Sequence, residues 1–381
     1  MANITWAYAK SGHQASDLFE AVPEMAINKL DTFTPQAMTN TIWAYAKVGH
    51  ESPALFEAVA KTAIKKLGVF NAQKLANTVW AYATMGYESP DLFEAVEEAA
   101  ISKLDEFNAQ AMTNTVWAYA TIGHESPDLF EVVAERAINK LGTFNALDMS
   151  KTMWAYATIG HESPDLFEAV AEKAIAKLDT FNAQAMADTV WALAVMDTEL
   201  NLATPIFSHL SAQYRSKKIV LPEKELSQLH QALLWFNIEH SETCPFPKDL
   251  RKKCSLAFTS KESTVSKLKK NVRKTFQSLG YDVNEEAVCH KTGYSIGAVI
   301  LDKSREVVVV IDEPSDFIDH KPTGKTILKH RQLRKIGNRP LLIVSHSEWE
   351  QDDDTQRIGK ADENDSKKEY LQKLLASLET E

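Results

Sequence analysis

The sequence predicts a mainly α-helical protein, in which a solenoid of 37-residue helix-turn-helix repeats precedes a small α/β domain. The first observation is a set of tryptophans spaced 37 residues apart: Trp6, Trp43, Trp80, Trp117, Trp154 and Trp191. A fixed period of this size is typical of stacked helical repeats. The second is the loss of this period in the last third of the chain, where apolar runs such as Val307–Ile311 indicate strands between helical patterns.

Composition and charge narrow the class of protein. The 381 residues are 44% hydrophobic and 25% charged, which excludes fibrous and wholly disordered classes. The longest aliphatic run, Val307–Ile311, is far shorter than the ~20 residues of a membrane span, so no span is expected. Cys244, Cys254 and Cys289 lack CxxC spacing, which argues against a disulfide framework or a zinc site. We expect no metal and no cofactor.

Each repeat is predicted to form two helices. In the unit that begins at Phe107, Asn108 can cap the first helix and Gly123 can end it. Ser126 and Pro127 are then expected to start the second helix, with serine as its N-cap. The repeated tryptophans and tyrosines are expected in the core between repeats, with stacking on RNA as the alternative. The histidines that follow the helix-ending glycines are also expected to be structural.

A 37-residue helix pair with Trp-Ala-Tyr-Ala late in its first helix resembles the octotricopeptide repeat family of organellar RNA-binding proteins. The resemblance covers residues 1–210, about six repeats. The first repeat lacks its opening turns, which indicates an incomplete N-terminus. The sixth has Leu193 and Asp197 in place of Tyr and Gly, as expected of a terminal unit. No transit peptide is visible, and the resemblance implies a mitochondrial or chloroplast location.

Three positions in each first helix form a candidate base-reading face. They lie seven, four and three residues before the tryptophan, so they share one side of a helix. The residues are Gln36, Thr39 and Asn40; Gln73, Ala76 and Asn77; Gln110, Thr113 and Asn114; Leu147, Ser150 and Lys151; and Gln184, Ala187 and Asp188. Solenoid RNA readers recognise one base per repeat with two or three side chains, and amides offer donor and acceptor atoms. This pattern predicts single-stranded RNA as the ligand. The alternative is a solvated face that drifted between duplicated repeats.

Residues 211–262 are predicted to be a decayed repeat followed by a basic linker. Pro222–Trp235 has the pattern of one amphipathic helix, and Lys248, Arg251, Lys252 and Lys253 follow two prolines. Residues 351–381 form an acidic tail, which is expected to be solvated and mobile and to end in a short helix over Lys367–Leu378.

Residues 263–350 are predicted to form an α/β domain of order αβββαβ. Its predicted elements are a helix over Val265–Tyr281, strands over Glu286–Lys291, Tyr294–Leu301 and Glu306–Asp312, a helix over Gly324–Ile336 and a strand over Pro340–Ser345. The segments Val307–Pro314, Thr323–Leu333 and Leu342–Trp349 resemble a RAP domain. This resemblance implies a PD-(D/E)XK nuclease-like core and a role beside repeat arrays in organellar RNA processing and stability.

A nuclease of that class needs several carboxylates to hold a divalent metal. Two of the family's acidic positions are occupied by Gly297 and Val310, and only Asp312 remains. The sequence therefore predicts a degenerate site with no catalytic residues. A cluster of basic residues is instead expected to bind the RNA backbone: Lys325, Lys329, Arg331, Arg334, Lys335 and Arg339.

Together these patterns predict a non-catalytic RNA-binding regulator of organellar RNA processing, stability or translation. The acidic second helices, with Asp91, Glu94, Glu97 and Glu98, leave a protein-interaction scaffold as the main alternative. Protein partners on that acidic face are also compatible with the first reading. An RNA endonuclease is the third reading.

Overall fold

The computed structural model describes residues 1–13, 15–260, 266–285, 288–337, 339–351 and 360–378. The chain divides into two compact units, residues 1–206 and 207–381, with the boundary inside a helix, Leu200–Arg215. The first unit is helical throughout and the second contains a small sheet. The predicted fold class, a helical repeat array followed by a small α/β region, is confirmed.

The first unit is a series of helix pairs. Its helices are α1 (Ala2–Ser11), α2 (Ser16–Ile27), α3 (Pro35–Val48), α4 (Pro53–Ile64), α5 (Ala72–Met85), α6 (Pro90–Ser102), α7 (Ala109–Ile122), α8 (Pro127–Lys140), α9 (Ala146–Ile159), α10 (Pro164–Ile175), α11 (Ala183–Val195) and α12 (Leu200–Arg215). The odd-numbered, first helices pack side by side, and α2 to α10 pack in the same way. The pairs therefore form two layers, a first-helix layer and a second-helix layer.

Capping residues explain where the first helices begin and end. The Asn108 side chain accepts a hydrogen bond from the backbone N–H of Ala111, at 2.8 Å. Gly123 ends α7 with a φ of 75°, in the left-handed region that glycine adopts most readily. Both predictions are confirmed. Ser126 is the N-cap residue of α8 and Pro127 begins the helix, as predicted, but the Ser126 hydroxyl makes no capping hydrogen bond to α8. The Ser126 backbone, at φ −156° and ψ 67°, differs from the extended Asn108.

The tyrosines of repeats two to five lie in the core, as predicted, whereas Tyr8 of the first repeat is exposed. Tyr119 is fully buried, and its hydroxyl donates to the carbonyl oxygen of Phe93 in the preceding pair, at 2.7 Å. Tyr45, Tyr82 and Tyr156 make the same bond, 26 residues back along the chain. His124 packs on the rings of both Phe93 and Tyr119. The tyrosine and histidine columns thus join successive repeats, and the structural reading of both is confirmed.

A lysine column that the sequence reading missed also connects the repeats. The ammonium group of Lys103 donates to the carbonyl oxygens of Gly68 and Phe70, at 2.8 and 2.7 Å. Lys66, Lys140 and Lys177 bind the preceding repeat in the same way. The signal was present in the sequence, since these lysines also recur every 37 residues.

The second unit contains the rest of the elements. After the end of α12 come α13 (Glu223–Leu234), a π-helical turn (Trp235–Glu239), α14 (Lys248–Thr259), α15 (Lys267–Ser278), β1 (Val283–Asn284), β2 (Ala298–Asp302), β3 (Arg305–Asp312), β4 (Phe317–Ile318), β5 (Lys321–Pro322), α16 (Gly324–Ile336), β6 (Leu341–Ser345), α17 (His346–Gln351) and α18 (Lys360–Ser377). The main sheet has the order β1-β2-β3-β6, and only the β3–β6 pair is parallel.

Apolar residues cover both faces of this sheet. Phe276 of α15 and Leu371 of α18 pack with strand residues such as Val309 on one face. Leu234 of α13 and Leu333 of α16 pack with Val310 and its neighbours on the other. The strands are therefore apolar on both sides, which explains the unbroken valine run in β3.

Three predictions for the second unit need correction. Residues 248–259 form helix α14 rather than a linker, because Leu250, Cys254 and Ala257 give that basic segment a buried side. The tail is also not simply solvated, because Leu371 and Leu375 of α18 are buried in the core. Glu286 lies outside the described residues, as does Val265. The first strand is Val283–Asn284, which precedes the predicted segment. Among the described residues of that segment, Val288 forms an isolated bridge to Ser295.

Candidate nucleic-acid interface

A groove of about 560 Å³ runs along the first-helix layer. Three tryptophans, five asparagines and two glutamines contribute to its wall: Trp6, Trp43, Trp80, Asn40, Asn77, Asn108, Asn114, Asn145, Gln73 and Gln110. The same wall includes Lys10, Lys47, Leu147, Asp148 and Lys151. The groove therefore gathers residues from the first helices of five successive repeats.

The tryptophans of the first five repeats are half-buried, whereas the tyrosines two residues later in repeats two to five are fully buried. Two residues correspond to about 200° around a helix, so Trp43 and Tyr45 lie on nearly opposite sides of α3. The ring centroids of Trp6 and Trp43 are 6.4 Å apart, and those of Trp43 and Trp80 are 6.3 Å apart. The prediction that the tryptophans belong wholly to the core is wrong for this row; Trp191, in the last repeat, is buried. The row forms an aromatic wall with accessible surface.

The amide columns lie where a reading face requires them. Gln73 and Gln110 are exposed, and Asn40, Asn77 and Asn114 are half-buried. All five contribute to the groove. Gln36 is exposed and lines a neighbouring cavity together with Asn3, whose position three residues before Trp6 could have identified it from the sequence. Gln184 is exposed on α11, outside the lining of the groove, and Asp188 is buried there.

The third proposed column is not a reading column. Thr39, Thr113 and Ser150 are each at most 2% exposed. The hydroxyl oxygens of Thr113 and Thr152 are 3.1 Å apart, so this column joins neighbouring repeats. Thr39 and Thr78 repeat the contact at 3.3 Å. The positions seven and three residues before the tryptophan are about 40° apart on the helix, but the position four before it is turned 100° away from the asparagine. That rotation points the hydroxyl at the next helix.

The electrostatics of the groove differ from those of the array as a whole. Three lysines but only one acidic residue, Asp148, line the groove. Asp148 is buried, its carboxylate accepts from the backbone N–H of Asn145, and burial raises its pKa. The exposed carboxylates of Asp91 and Glu94 lie instead on α6, in the second-helix layer. The acidic balance of the array therefore does not apply to this surface.

Lysines lie over two rings of the tryptophan row, those of Trp6 and Trp117. The Lys10 ammonium is 4.5 Å from the ring centroid of Trp6, and that of Lys151 is 5.0 Å from the centroid of Trp117. Both are cation–π distances. Burial lowers the pKa of Lys151, whereas the charges of Asp188 and Asp148 act in the opposite direction. Trp43 and Trp80 lie between these two tryptophans in the row.

In the second unit, the two positions at which the RAP resemblance implies carboxylates, Gly297 and Val310, are closed. A Cβ atom on Gly297 would lie 2.5 Å from Cδ1 of Ile311, and Val310 is fully buried among apolar side chains. Asp312 is also fully buried; its carboxylate lies 2.9 Å from Nε2 of His330 and 3.6 Å from Nζ of Lys329. No group of three His, Cys, Asp or Glu residues suited to a metal occurs in the part of the chain that the structure describes.

The predicted backbone-binding residues fall into two groups. Lys329 faces the buried Asp312, and Arg331 forms an ion pair with Glu239, whose side chain is also buried. These two cations neutralise internal carboxylates, which argues against phosphate contacts as their main role. The other four residues are exposed: Lys325, Arg334, Lys335 and Arg339, of which Arg339 pairs with Glu306 at 2.8 Å.

Comparison with known families gives a match for the repeat array. Residues 1–240 match the family described as RNA-editing substrate-binding complex 6 protein. The chain belongs to this family. The match covers the whole repeat array and extends through α13. A search of the curated proteins finds no match. Among the described residues, no helix is both long and apolar enough to cross a membrane.

Proposed function

We propose that the groove of the first-helix layer binds single-stranded RNA. The observation that carries this proposal is the row of half-buried tryptophans flanked by amide side chains on one continuous surface. Aromatic rings bind unpaired bases by stacking, at roughly 1–3 kcal/mol per base. Amides add hydrogen bonds to base edges, and Lys10 and Lys47 supply positive charge for the phosphates.

The family name supports the same function, since it refers to binding of an RNA-editing substrate. We propose that the protein acts in RNA processing of this kind, or in RNA stability or translation, without catalysing a reaction itself. The octotricopeptide and RAP resemblances support a mitochondrial or chloroplast location. In the second unit, Lys325, Arg334, Lys335 and Arg339 are suited to contact flanking backbone, because all four are exposed.

The test is a titration of the full chain with fluorescent single-stranded RNA at several salt concentrations. We expect the logarithm of the affinity to fall linearly with the logarithm of salt concentration, because lysine–phosphate contacts release counterions. Trp43→Ala is expected to weaken binding, and Glu57→Gln on α4 serves as the exposed control. Unchanged affinity in Trp43→Ala would contradict the proposed groove.

The acidic second-helix layer supports a protein-interaction scaffold as a second candidate function. Asp91, Glu94 and Glu98 are all exposed on α6. A scaffold without RNA function would show no RNA affinity at low salt, and substitutions on α6 rather than α3 would remove its partner. The same set of variants therefore separates the two functions.

A further inference from the structure

The first-helix layer presents the same pair of amides at three consecutive steps along the array, two of them in the groove and one in a separate cavity. At each step, an asparagine three residues before one tryptophan precedes a glutamine seven residues before the next. The pairs are Asn3 and Gln36, Asn40 and Gln73, and Asn77 and Gln110. The first pair lines one cavity, and the other two pairs line the main groove. The array therefore offers three equivalent sets of polar contacts in a row.

The fourth step breaks this series. Asn114 is followed by Leu147, which is 46% exposed and contributes an apolar side chain to the groove wall. Lys151 replaces the asparagine of the fifth repeat, and its ammonium group lies over the Trp117 ring. A glutamine offers both donors and an acceptor, a leucine offers neither, and a lysine offers donors only. Both the chemistry of the contacts and the access to the ring change here.

The scaffold around this step does not change. Helices α7 and α9 both have 14 residues, asparagine N-caps and left-handed C-terminal glycines. The hydroxyls of Tyr119 and Tyr156 donate to equivalent carbonyl oxygens at 2.7 and 2.6 Å. The difference between the fourth step and the first three therefore resides in the contact residues, not in the backbone that holds them.

The lysines on the groove do not disturb the equivalence of the first three steps. Lys10 and Lys47 follow their tryptophans by four residues, where later repeats have Thr84 and Thr121. An ammonium group is a compact point charge suited to phosphate. Phosphate contacts position a strand but do not read its bases. The base contacts remain the tryptophan and the amide pair.

We propose that the RNA bound along the first-helix layer contains a run of three identical bases and that the run ends at the step between the fourth and fifth repeats. The proposal rests on the proposed function. Three equal amide pairs, each on the same helix face as a tryptophan, are expected to select the same base edge, as in solenoids that read one base per repeat. Leu147 and Lys151 then impose a different choice at the next base.

The test is selection of binding sequences from a randomised RNA pool by the full chain. We expect three adjacent identical positions from the wild type. Leu147→Gln restores the amide pair of the fourth step, and Lys151→Ala frees the Trp117 ring without adding an amide that could pair with Gln184. This double variant should lengthen the run to four. Gln110→Leu removes the pair of the third step and should shorten the run to two. The control, Glu94→Gln with Glu131→Gln on exposed second-helix positions, should keep three.

Binding to defined oligonucleotides gives the size of the effect. The double variant should bind a four-base run at least about five-fold more tightly than a three-base run, the smallest factor expected of one base-edge contact. The wild type should show no such preference. An enriched motif without identical neighbours would overturn the proposal, as would an unchanged run length in a double variant that unfolds at the wild-type temperature. If the double variant misfolds, the motif selected by the wild type and the run length selected by Gln110→Leu test the proposal.

The two proposals fail in different ways. If selection enriches no sequence and Trp43→Ala leaves RNA affinity unchanged, the groove does not bind RNA, and the proposed function fails. If RNA binds and depends on Trp43 but the motif lacks a run, only the equivalence of the three steps is wrong.

Discussion

The two units of the chain use repeated and charged residues in opposite ways. In the array, each column has one role: Tyr119 and Lys103 join successive repeats, whereas Trp80 and Asn77 face the groove. In the second unit, residues that look alike in sequence have different roles. Within one helix, α16, Lys329 neutralises a buried carboxylate and Arg334 is exposed. In a repeat array, the 37-residue period shows which residues share a role. A domain that occurs once in the chain offers no such comparison.

The largest effect is expected for the C-terminal helix, whose role the sequence pattern did not show. Leu371→Ala removes a fully buried side chain from the core of the second unit. It should lower the free energy of unfolding of that unit by about 2–5 kcal/mol. The measurement is chemical unfolding of the full chain, and Gln372→Ala, on the exposed side of α18, is the control. A loss below that of the control would mean that α18 does not stabilise the core.

In the array, two aromatic residues of one helix separate binding from stability. Trp80→Ala should reduce RNA affinity by roughly 1–3 kcal/mol, because it removes a stacking surface. Tyr82→Phe removes the hydrogen bond to the carbonyl oxygen of Phe56 and should cost about 1 kcal/mol of stability. RNA titration and thermal unfolding of both variants test this. Equal RNA affinity in the two variants would show that the tryptophan row is structural only.

The lysine column should contribute to stability through the backbone of the preceding repeat. Lys103→Met keeps an unbranched side chain but removes both hydrogen bonds, to Gly68 and Phe70. We expect a loss of about 1–2 kcal/mol. Lys61→Met removes only an exposed ion pair with Glu57 and should cost much less. Similar losses for the two variants in chemical unfolding would refute the role of this column.

The sequence was sufficient for the architecture of the array because its period is a direct consequence of stacking. It identified the amide columns at the groove but also included Thr39, Thr113 and Ser150, which are buried. Spacing alone could not exclude them, since a three-residue and a four-residue offset both look like one helical face. Only the position of the neighbouring helix shows which of the two directions it covers.

The second unit was harder to predict because its contacts join distant segments. Gln231 of α13 donates to the Tyr294 hydroxyl, which donates in turn to Gln332 of α16, at 3.0 and 2.8 Å. This buried network attaches the predicted decayed repeat to the sheet domain. No local pattern indicates partners 63 or 38 residues apart. For the same reason, no sequence pattern indicated the ion pair between Arg331 and Glu239.

The smallest effect is expected for the exposed cations of the second unit. Arg334→Ala with Lys335→Ala should leave stability within about 0.5 kcal/mol, as for exposed substitutions. If both residues contact phosphate, the salt slope of RNA binding should become shallower by about 1.4, since each contact with a single strand contributes about 0.7. RNAs of different sequence should lose affinity equally, because phosphate contacts read no base.

The informative control for this variant is Lys329→Ala, on the same helix. It leaves Asp312 without the Lys329 charge, and removal of one partner of a buried ion pair destabilises a fold by about 3–5 kcal/mol. Since Lys329 is 13% exposed and Asp312 is fully buried, part of that loss is expected here. Loss of stability in Lys329→Ala, together with a shallower salt slope only in the Arg334 and Lys335 variant, would separate internal from RNA-facing cations. An unchanged slope in the latter would restrict RNA binding to the array.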